Sequence, residues 1–394
     1  MRPTTEPELR DAIAQAVASR TPLAIAAGGT KASWGGMVAA RDTLDVSALT
    51  GIVAHEPEEL VLTAKAGTTL REVTDALATH RQHLAFEPPD WGAILGTRGD
   101  ATLGGTLACN AAGSRRPFAG AARDHLLGVA AVSGAGEVFK TGGRVVKNVS
   151  GYDLPKLLAG SFGTLAVMTE VSVKVMPAPE DSMTLVLHGL SDGPGVAALM
   201  QAAGAQADVS GLAHLPAAAA RRSGIAAIAG GSATAIRVEG LSASVVHRLA
   251  LLRDLLRPAH ATTLAREESQ GLWRAIRDVR LLPQDALLWR VSVPPSAGVA
   301  TAAAIAAAMD ADVLFDWCGG LLWVAVRGAD PHAQAVRNSF AAYGGHATLV
   351  RAPDAVRAAA GAMQPLTAAV AALSRRVKAA FDPYGILNPG RMGI

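Results

Sequence analysis

The sequence predicts an α+β protein in parts: a first region of short strands and helices, a second in which strands and helices alternate, and a turn-rich tail. Three observations carry that prediction. Two small-residue loops, Ala26-Ala-Gly-Gly-Thr-Lys31 and Asp100-Ala-Thr-Leu-Gly-Gly-Thr-Leu-Ala-Cys-Asn-Ala-Ala-Gly113, each lie beside a β-branched run. Met176-Pro-Ala-Pro179 breaks the chain where a strand-rich stretch ends. Beyond it, strand-like runs at 183–188, 234–238, 287–293, 312–317, 320–326 and 346–350 alternate with helical stretches at 242–257, 269–280, 296–309 and 332–342. That alternation fits a mixed sheet with helices on one face.

The elements follow in order. Thr5-Glu-Pro-Glu8 puts a capping residue, an early proline and a reciprocal glutamate ahead of Leu9, Ile13, Ala16 and Val17, which share one helical face. Leu23–Ala27, Leu44–Val46 and Gly51–Ala54 read as brief strands, the first delivering the Gly28-Gly29 turn. Leu60–Ala66 is a further strand, and Thr69-x-x-Glu72 caps a helix whose apolar face is Leu70, Val73 and Leu77. Phe86–Asp90, with two prolines, is extended loop. Strands are expected at 127–133, 137–141, 165–168 and 171–175, with Gly134-Ala-Gly136 as a hairpin turn. Asp354–Phe381 reads as one helix kinked at Pro365, and the run Asp382–Arg391 holds too many turn formers to continue it. So specific a terminal tail is expected to dock.

The bulk numbers bound the function. A chain of 394 residues with 50% apolar side chains can build two or three real cores. A net charge of +3 without a Lys/Arg block, and only 4% aromatic residues, argue against a nucleic-acid surface. Cys109 and Cys318 are too few for a disulfide framework, a cysteine zinc site or an iron–sulfur cluster. No secretory signal and no membrane-length apolar run is visible, so a cytoplasmic protein is expected, at most peripheral to a membrane.

Adjacent glycines allow positive φ and let successive N–H groups converge on an anion. The two early loops therefore look like halves of one phosphate cradle, pointing to a dinucleotide. No G-x-G-x-x-G opens a helix and no Gly-Lys pair exists, so neither a Rossmann fingerprint nor a Walker loop is present.

A third motif joins them, Lys147-Asn-Val-Ser-Gly151-Tyr-Asp-Leu-x-Lys156-Leu-x-x-Gly160-Ser-x-Gly163-Thr-Leu-x-Val167-x-Thr169-Glu170. With Gly28-Gly29-Thr30 and Thr102–Gly113, it resembles the flavoprotein superfamily that includes vanillyl-alcohol oxidase and p-cresol methylhydroxylase. Within that superfamily the chain is most similar to the FAD-binding E-type subunits of bacterial glycolate oxidases. Glu87-Pro-Pro, Leu288-Trp-Arg-Val-Ser, Asp316-Trp-Cys-Gly-Gly, Gly344-Gly-His-Ala-Thr348 and Phe381–Met392 extend the likeness over nearly the whole chain.

The resemblance implies a two-part FAD domain of the p-cresol methylhydroxylase type at 1–176, with subdomains of about 1–56 and 57–176. It implies a ferredoxin-like mixed-sheet cap at 177–350, and a C-terminal helix and tail at 351–394 returning to the FAD domain. It assigns the pyrophosphate to backbone N–H groups of Ala27, Gly28, Gly29, Thr30 and Lys31 and of Leu103, Gly104, Gly105 and Thr106. Val167 would meet the adenine, Asn148, Gly151 and Gly163 the ribityl chain or ring, and Pro88, Asn110 and Gly113 complete the set. Covalent members carry a histidine where this chain has Thr30, so a noncovalent FAD is expected. The implied partners are a second flavoprotein subunit and an iron–sulfur subunit, with a small 2-hydroxy acid (glycolate or D-lactate) as the complex's substrate.

Such an oxidation needs a base for the hydroxyl proton and a cation for the carboxylate. Related D-2-hydroxyacid dehydrogenases draw on a His-x-His cap motif, and none of the ten histidines here forms one or joins an acidic metal-ligand cluster. The catalytic candidates are His346, behind a glycine pair, and Arg115 and Arg116, behind the second loop. Beside each stands a plain reading: a strand-edge histidine, and a solvated arginine pair. Trp289, Trp317 and Trp323 read as core. Two alternatives stay open, a self-sufficient FAD-dependent 2-hydroxyacid dehydrogenase and a structural subunit with a vestigial flavin site.

Overall fold

The structure, a computed structural model, describes residues 1–143 and 151–393. The chain divides into two compact units, one made of Met1–Ala112, Gly120–Ala178 and Pro365–Ile394, the other of Gly113–Ala119 and Pro179–Gln364.

In the first unit, the opening helix runs Glu6–Ser19, with the Thr5 hydroxyl accepting from the Glu8 N–H at 3.3 Å. It buries Leu9, Ile13 and Ala16 against the parallel pair Leu23–Ala26 and Asp42–Asp45. Tail residues Ile386 and Leu387 complete that small core, with Leu387 bridged in parallel to Leu23. A second core fills one face of a five-stranded antiparallel sheet in which Ala166–Lys174 lies between Val61–Lys65 and Leu126–Ser133. Ala166–Lys174 is one continuous strand where two were expected. Ile52–Glu56 is an edge strand of this same sheet, so the two subdomains interleave instead of parting at residue 56.

The second unit holds one eight-stranded sheet in which every pairing is antiparallel, a correction to the expected mixed sheet. It consists of two β-α-β-β-α-β halves. The first has strands 181–188, 209–215, 233–240 and 261–264, in the spatial order fourth, first, third, second. The second repeats that order in mirror image with strands 287–292, 311–316, 321–326 and 346–351. The halves meet where His214 faces Phe315. Each helical crossover joins strands that have another strand between them, so parallel partners never become neighbours. This is the ferredoxin-like arrangement twice over, with a separate apolar core in each half.

The strands at 209–215 and 261–264 and the helix Asp192–Ala203 went unread in the sequence, because alanine-rich segments carry little periodicity. Asp354–Phe381 is two helices, Asp354–Ala360 in the second unit and Ala368–Phe381 in the first. Gly361 at φ +70° ends the former and Pro365 keeps them apart, so the returning segment starts near residue 365, not 351.

Candidate functional site

The first unit contains a cavity of about 300 Å3 lined chiefly by residues 24–32, 102–109 and 162–168 and the tail residues Asn388 and Arg391, with Thr43, Val46 and Ala66 completing it. Small residues line most of it, which leaves backbone atoms facing the space.

The first wall is the turn that leaves the strand Leu23–Ala26. The N–H groups of Gly28, Gly29, Thr30 and Lys31 have no acceptor among the described residues. The two glycines do different jobs. A Cβ on Gly28 would lie 1.7 Å from the Asp100 carbonyl oxygen, so this position is glycine because the second loop packs on its backbone. Gly29 has φ +70° and a Cβ there would meet nothing within 4 Å, so its outer side faces open space. Four consecutive unspent amides beside such an opening make an anion-binding concavity.

The second loop is built differently. Thr102 caps the helix Leu103–Ala108, its hydroxyl accepting from the Gly105 N–H at 3.2 Å. The Leu103 and Gly104 N–H groups donate to the carbonyls of Thr68 and Ala66 at 2.9 and 2.8 Å, and that of Thr106 donates to the Thr102 carbonyl. All four amides assigned to phosphate in this loop thus have protein partners. Gly104 is glycine because a Cβ would sit 2.6 Å from that of Ala66. This loop supplies a close-packed floor: Gly104 and Gly105 line the cavity, while Leu103 and Thr106 are buried beneath it.

The tail closes the remaining side. Asn388, at φ +44°, accepts from the Ile25 N–H and donates to the Phe162 carbonyl, each at 2.8 Å, tying the first and third walls together. Arg391 donates to the carbonyls of Ala32 at 2.6 Å and Trp34 at 3.0 Å. Behind them the Lys378 ammonium bonds Asp382 at 2.5 Å and the carbonyls of Thr164 and Leu387 at 2.6 and 2.8 Å. Asp382, only 2% exposed, also accepts from the N–H groups of Ile386 and Leu387.

The electrostatics suit an anion. Lys31 and Arg391 both line the cavity. Burial lowers the Lys31 pKa from its ordinary value, against the pull of Cys109 and Asp90. Burial also pushes the Cys109 thiol up to about 11 despite those two cations, so near neutral pH it is a small apolar wall residue. The unspent amides, the two cations and the Cβ-free opening at Gly29 fit the pyrophosphate of a dinucleotide.

Of the residues singled out in the sequence, Ala27, Gly28, Gly29, Thr30, Lys31, Gly104, Gly105, Gly163 and Val167 line this cavity. Asn110 and Pro88 do not, and the Asn110 side chain accepts from the Arg123 N–H at 3.0 Å. Gly151 is exposed outside it, Gly113 belongs to the second unit, and Asn148 lies outside the described residues. Asn388, Arg391 and Phe162 were not named from sequence, although the first two stand in the Phe381–Met392 segment and Phe162 in the third motif.

The catalytic candidates all lie in the second unit. Arg115 is committed to Glu239 by two bonds of 2.8 and 2.6 Å. Burial by itself would raise the Glu239 pKa, but Arg237 and Arg115 hold it down at about 2. Arg116 lies over the Trp317 ring, and His346 opens the strand His346–Arg351 with part of its surface in solvent. Surrounding protein, then Arg290, then Arg116 lower the His346 pKa. No group of three or more metal-ligating side chains occurs among the described residues.

Residues 1–142 match the family described as an FAD binding domain. The chain is 35% identical to glycolate oxidase subunit GlcE of Escherichia coli strain K12 over 389 residues, 98% of this chain and 96% of that one. It is 33% identical to glycolate oxidase subunit GlcD of Bacillus subtilis strain 168 over 159 residues, 40% of this chain and 31% of that one. The solved structure of p-cresol methylhydroxylase with substrate bound shares its fold at a TM-score of 0.72 and 16% identity, over 100% of this chain and 88% of that one. The chain therefore belongs to the GlcE family of glycolate oxidase subunits, FAD-linked oxidoreductases of the p-cresol methylhydroxylase fold, and FAD is its cofactor.

Proposed function

We propose that this chain is the E-type subunit of a complex that oxidises glycolate or D-lactate to the 2-oxo acid, and that it carries one FAD noncovalently in the cavity of the first unit. The single observation behind the site assignment is the run of four unspent amides from Gly28 to Lys31, set beside Lys31 and Arg391. In this reading the amides and both cations take the pyrophosphate, Gly163 and Val167 border the rest of the cofactor, and Asn388 holds the walls at their spacing. Thr30 offers no imidazole for a covalent link. FAD supplies reversible acceptance of electrons.

Substrate chemistry belongs to the partner flavoprotein in this proposal. Oxidising the acid moves a hydride from the α-carbon and a proton from the hydroxyl, and the latter needs a positioned base. Arg115 is locked in an ion pair, and the histidines show no paired arrangement in sequence. Electrons would continue to an iron–sulfur subunit and a quinone, since two lone cysteines cannot hold a cluster here. No helix among the described residues is long and apolar enough to cross a membrane. A cytoplasmic place, at most peripheral to the membrane through the complex, suits this role.

The test is the visible spectrum of the chain purified alone, before and after anaerobic glycolate or D-lactate. A flavin band that persists, and is released by acid precipitation, supports a noncovalent E-type subunit. Bleaching makes the chain a dehydrogenase in its own right. A colourless protein that does not take up added FAD makes the site vestigial.

A further inference from the structure

One helix of the first unit is placed against its own composition. Ten of the fourteen residues of Ala368–Phe381 are apolar, and the other four are Ser374, Arg375, Arg376 and Lys378. A helix that is apolar nearly all round belongs in a core, yet none of these residues is buried. Its inner side rests on the unit: Ala371, Ser374, Val377, Lys378 and Phe381 are half-buried. Val377 and Phe381 pack on the core of the five-stranded sheet, and Lys378 bonds Asp382 and the carbonyls of Thr164 and Leu387.

The outer side is open. Ala369, Leu373, Arg376 and Ala380, at helical spacing along one stripe, are all exposed. Leu373 is 58% exposed, Val370 beside it 49%, and Leu366 just ahead of the helix 44%. The small alanines around Leu373 let another backbone come close. From Pro365 to Phe381 there is no carboxylate, and the next one, Asp382, is buried against Lys378. Arg375 and Arg376 have no hydrogen-bond acceptor and no ion-pair partner among the described residues.

That composition selects the occupant. A second copy of the helix would bring cations and no carboxylate, leaving every arginine unpaired. A helix lying in a membrane surface needs large apolar side chains along a whole face, and this stripe sets a single leucine among alanines. A protein surface whose apolar centre is bordered by Asp and Glu matches both the aliphatic stripe and the unpaired arginines. We propose that the outer side of Ala368–Phe381 is the docking face for such an acid-bordered partner, another subunit of the complex. This rests on reading the chain as a subunit. The partner would then sit on the helix whose inner side, through Lys378, holds the tail beside the cavity.

The experiment is amide hydrogen exchange over residues 366–380, in the full-length chain alone and in the complex purified after co-expression with D-type flavoprotein and iron–sulfur subunits. Exchange there is expected to slow at least tenfold in the complex. Leu373→Glu should weaken partner binding at least tenfold and the double variant Arg375→Gln/Arg376→Gln several-fold. Both change only exposed side chains, so each should keep the parent's thermal melt and flavin content. A complex that forms with unchanged exchange over 366–380, or that both variants leave intact, overturns the docking face while the subunit reading stands. Failure of any complex to form overturns both. Slowed exchange of the chain alone on phosphatidylglycerol vesicles without slowing in the complex, or a dimer of the chain alone that Leu373→Glu abolishes, would overturn the proposal in favour of a membrane or a second copy.

Discussion

Replacing Gly29 by alanine separates the cradle from the scaffold more cleanly than any other single change. At φ +70° an alanine takes left-handed strain of about 1–2 kcal/mol. Alanine recovers about 0.4–1 kcal/mol of that by restricting the unfolded chain. No neighbour lies within 4 Å of the new Cβ, so no clash adds to the cost. The net loss is about 0–1.6 kcal/mol, a fall in Tm of at most about 6 °C for a unit of this size. The methyl group nevertheless stands where an anion must approach the amides of residues 28–31. Losing one charge-assisted hydrogen bond costs about 1.5–3 kcal/mol, which is about 10- to 150-fold in FAD affinity. The assay is quenching of flavin fluorescence as FAD is added to deflavinated protein, with a thermal melt of the same sample lacking FAD. Gly28→Ala is the contrast: its Cβ would overlap the Asp100 carbonyl at 1.7 Å, so it should fail to fold. A folded Gly29→Ala protein that binds FAD within threefold of the parent would refute the cradle.

Lys378→Met leaves Asp382 buried without its cation, at a cost of about 3–5 kcal/mol, and should free the tail. Limited proteolysis should then cut within residues 382–393, with FAD affinity falling in parallel; an uncut tail would contradict the staple. Glu239, held near pKa 2, adds stability that is fully present above about pH 4.5 and lost as pH falls through about 2. Glu239→Gln should therefore destabilise the protein by about 3 kcal/mol at pH 7 and far less near pH 2, as read by urea melts. Cys109 and Cys318, both pushed by burial to about 11, should react slowly with iodoacetamide in the folded protein at pH 8. Rapid labelling of either would contradict its raised pKa.

What the sequence revealed was mostly local. The Thr5 and Thr69 caps are decided by neighbouring residues, and the structure follows both of them. The second glycine loop shows the limit of local reading. A glycine needed for an amide–phosphate contact and one needed for close packing look alike, and Gly104 is of the second kind. Side chains brought together across long separations left weaker signs. Asn388 bonds Ile25 and Phe162, and Arg290 meets Arg116 on Trp317, only because the sheets bring those segments together. The all-antiparallel cap was hidden for a similar reason, since its strand order depends on two repeats whose alanine-rich stretches mask some of the strands.

The tail links cofactor binding to folding. The cavity wall that bears the free amides begins at the strand Leu23–Ala26, and that strand is itself held by the tail: the Leu23 N–H donates to the Ile386 carbonyl at 2.7 Å, and the Leu23 carbonyl accepts from the Asn388 N–H at 3.0 Å. Ile386 and Leu387 also fill the small core under the strand. Removing the tail therefore exposes apolar core, strands buried carbonyls and opens the cavity in a single event. A ligand that binds only the closed form must stabilise the docked tail by the same free energy with which the tail strengthens ligand binding. FAD should thus protect the tail from proteolysis in proportion to its occupancy, and a chain truncated after Phe381 should lose flavin and thermal stability together.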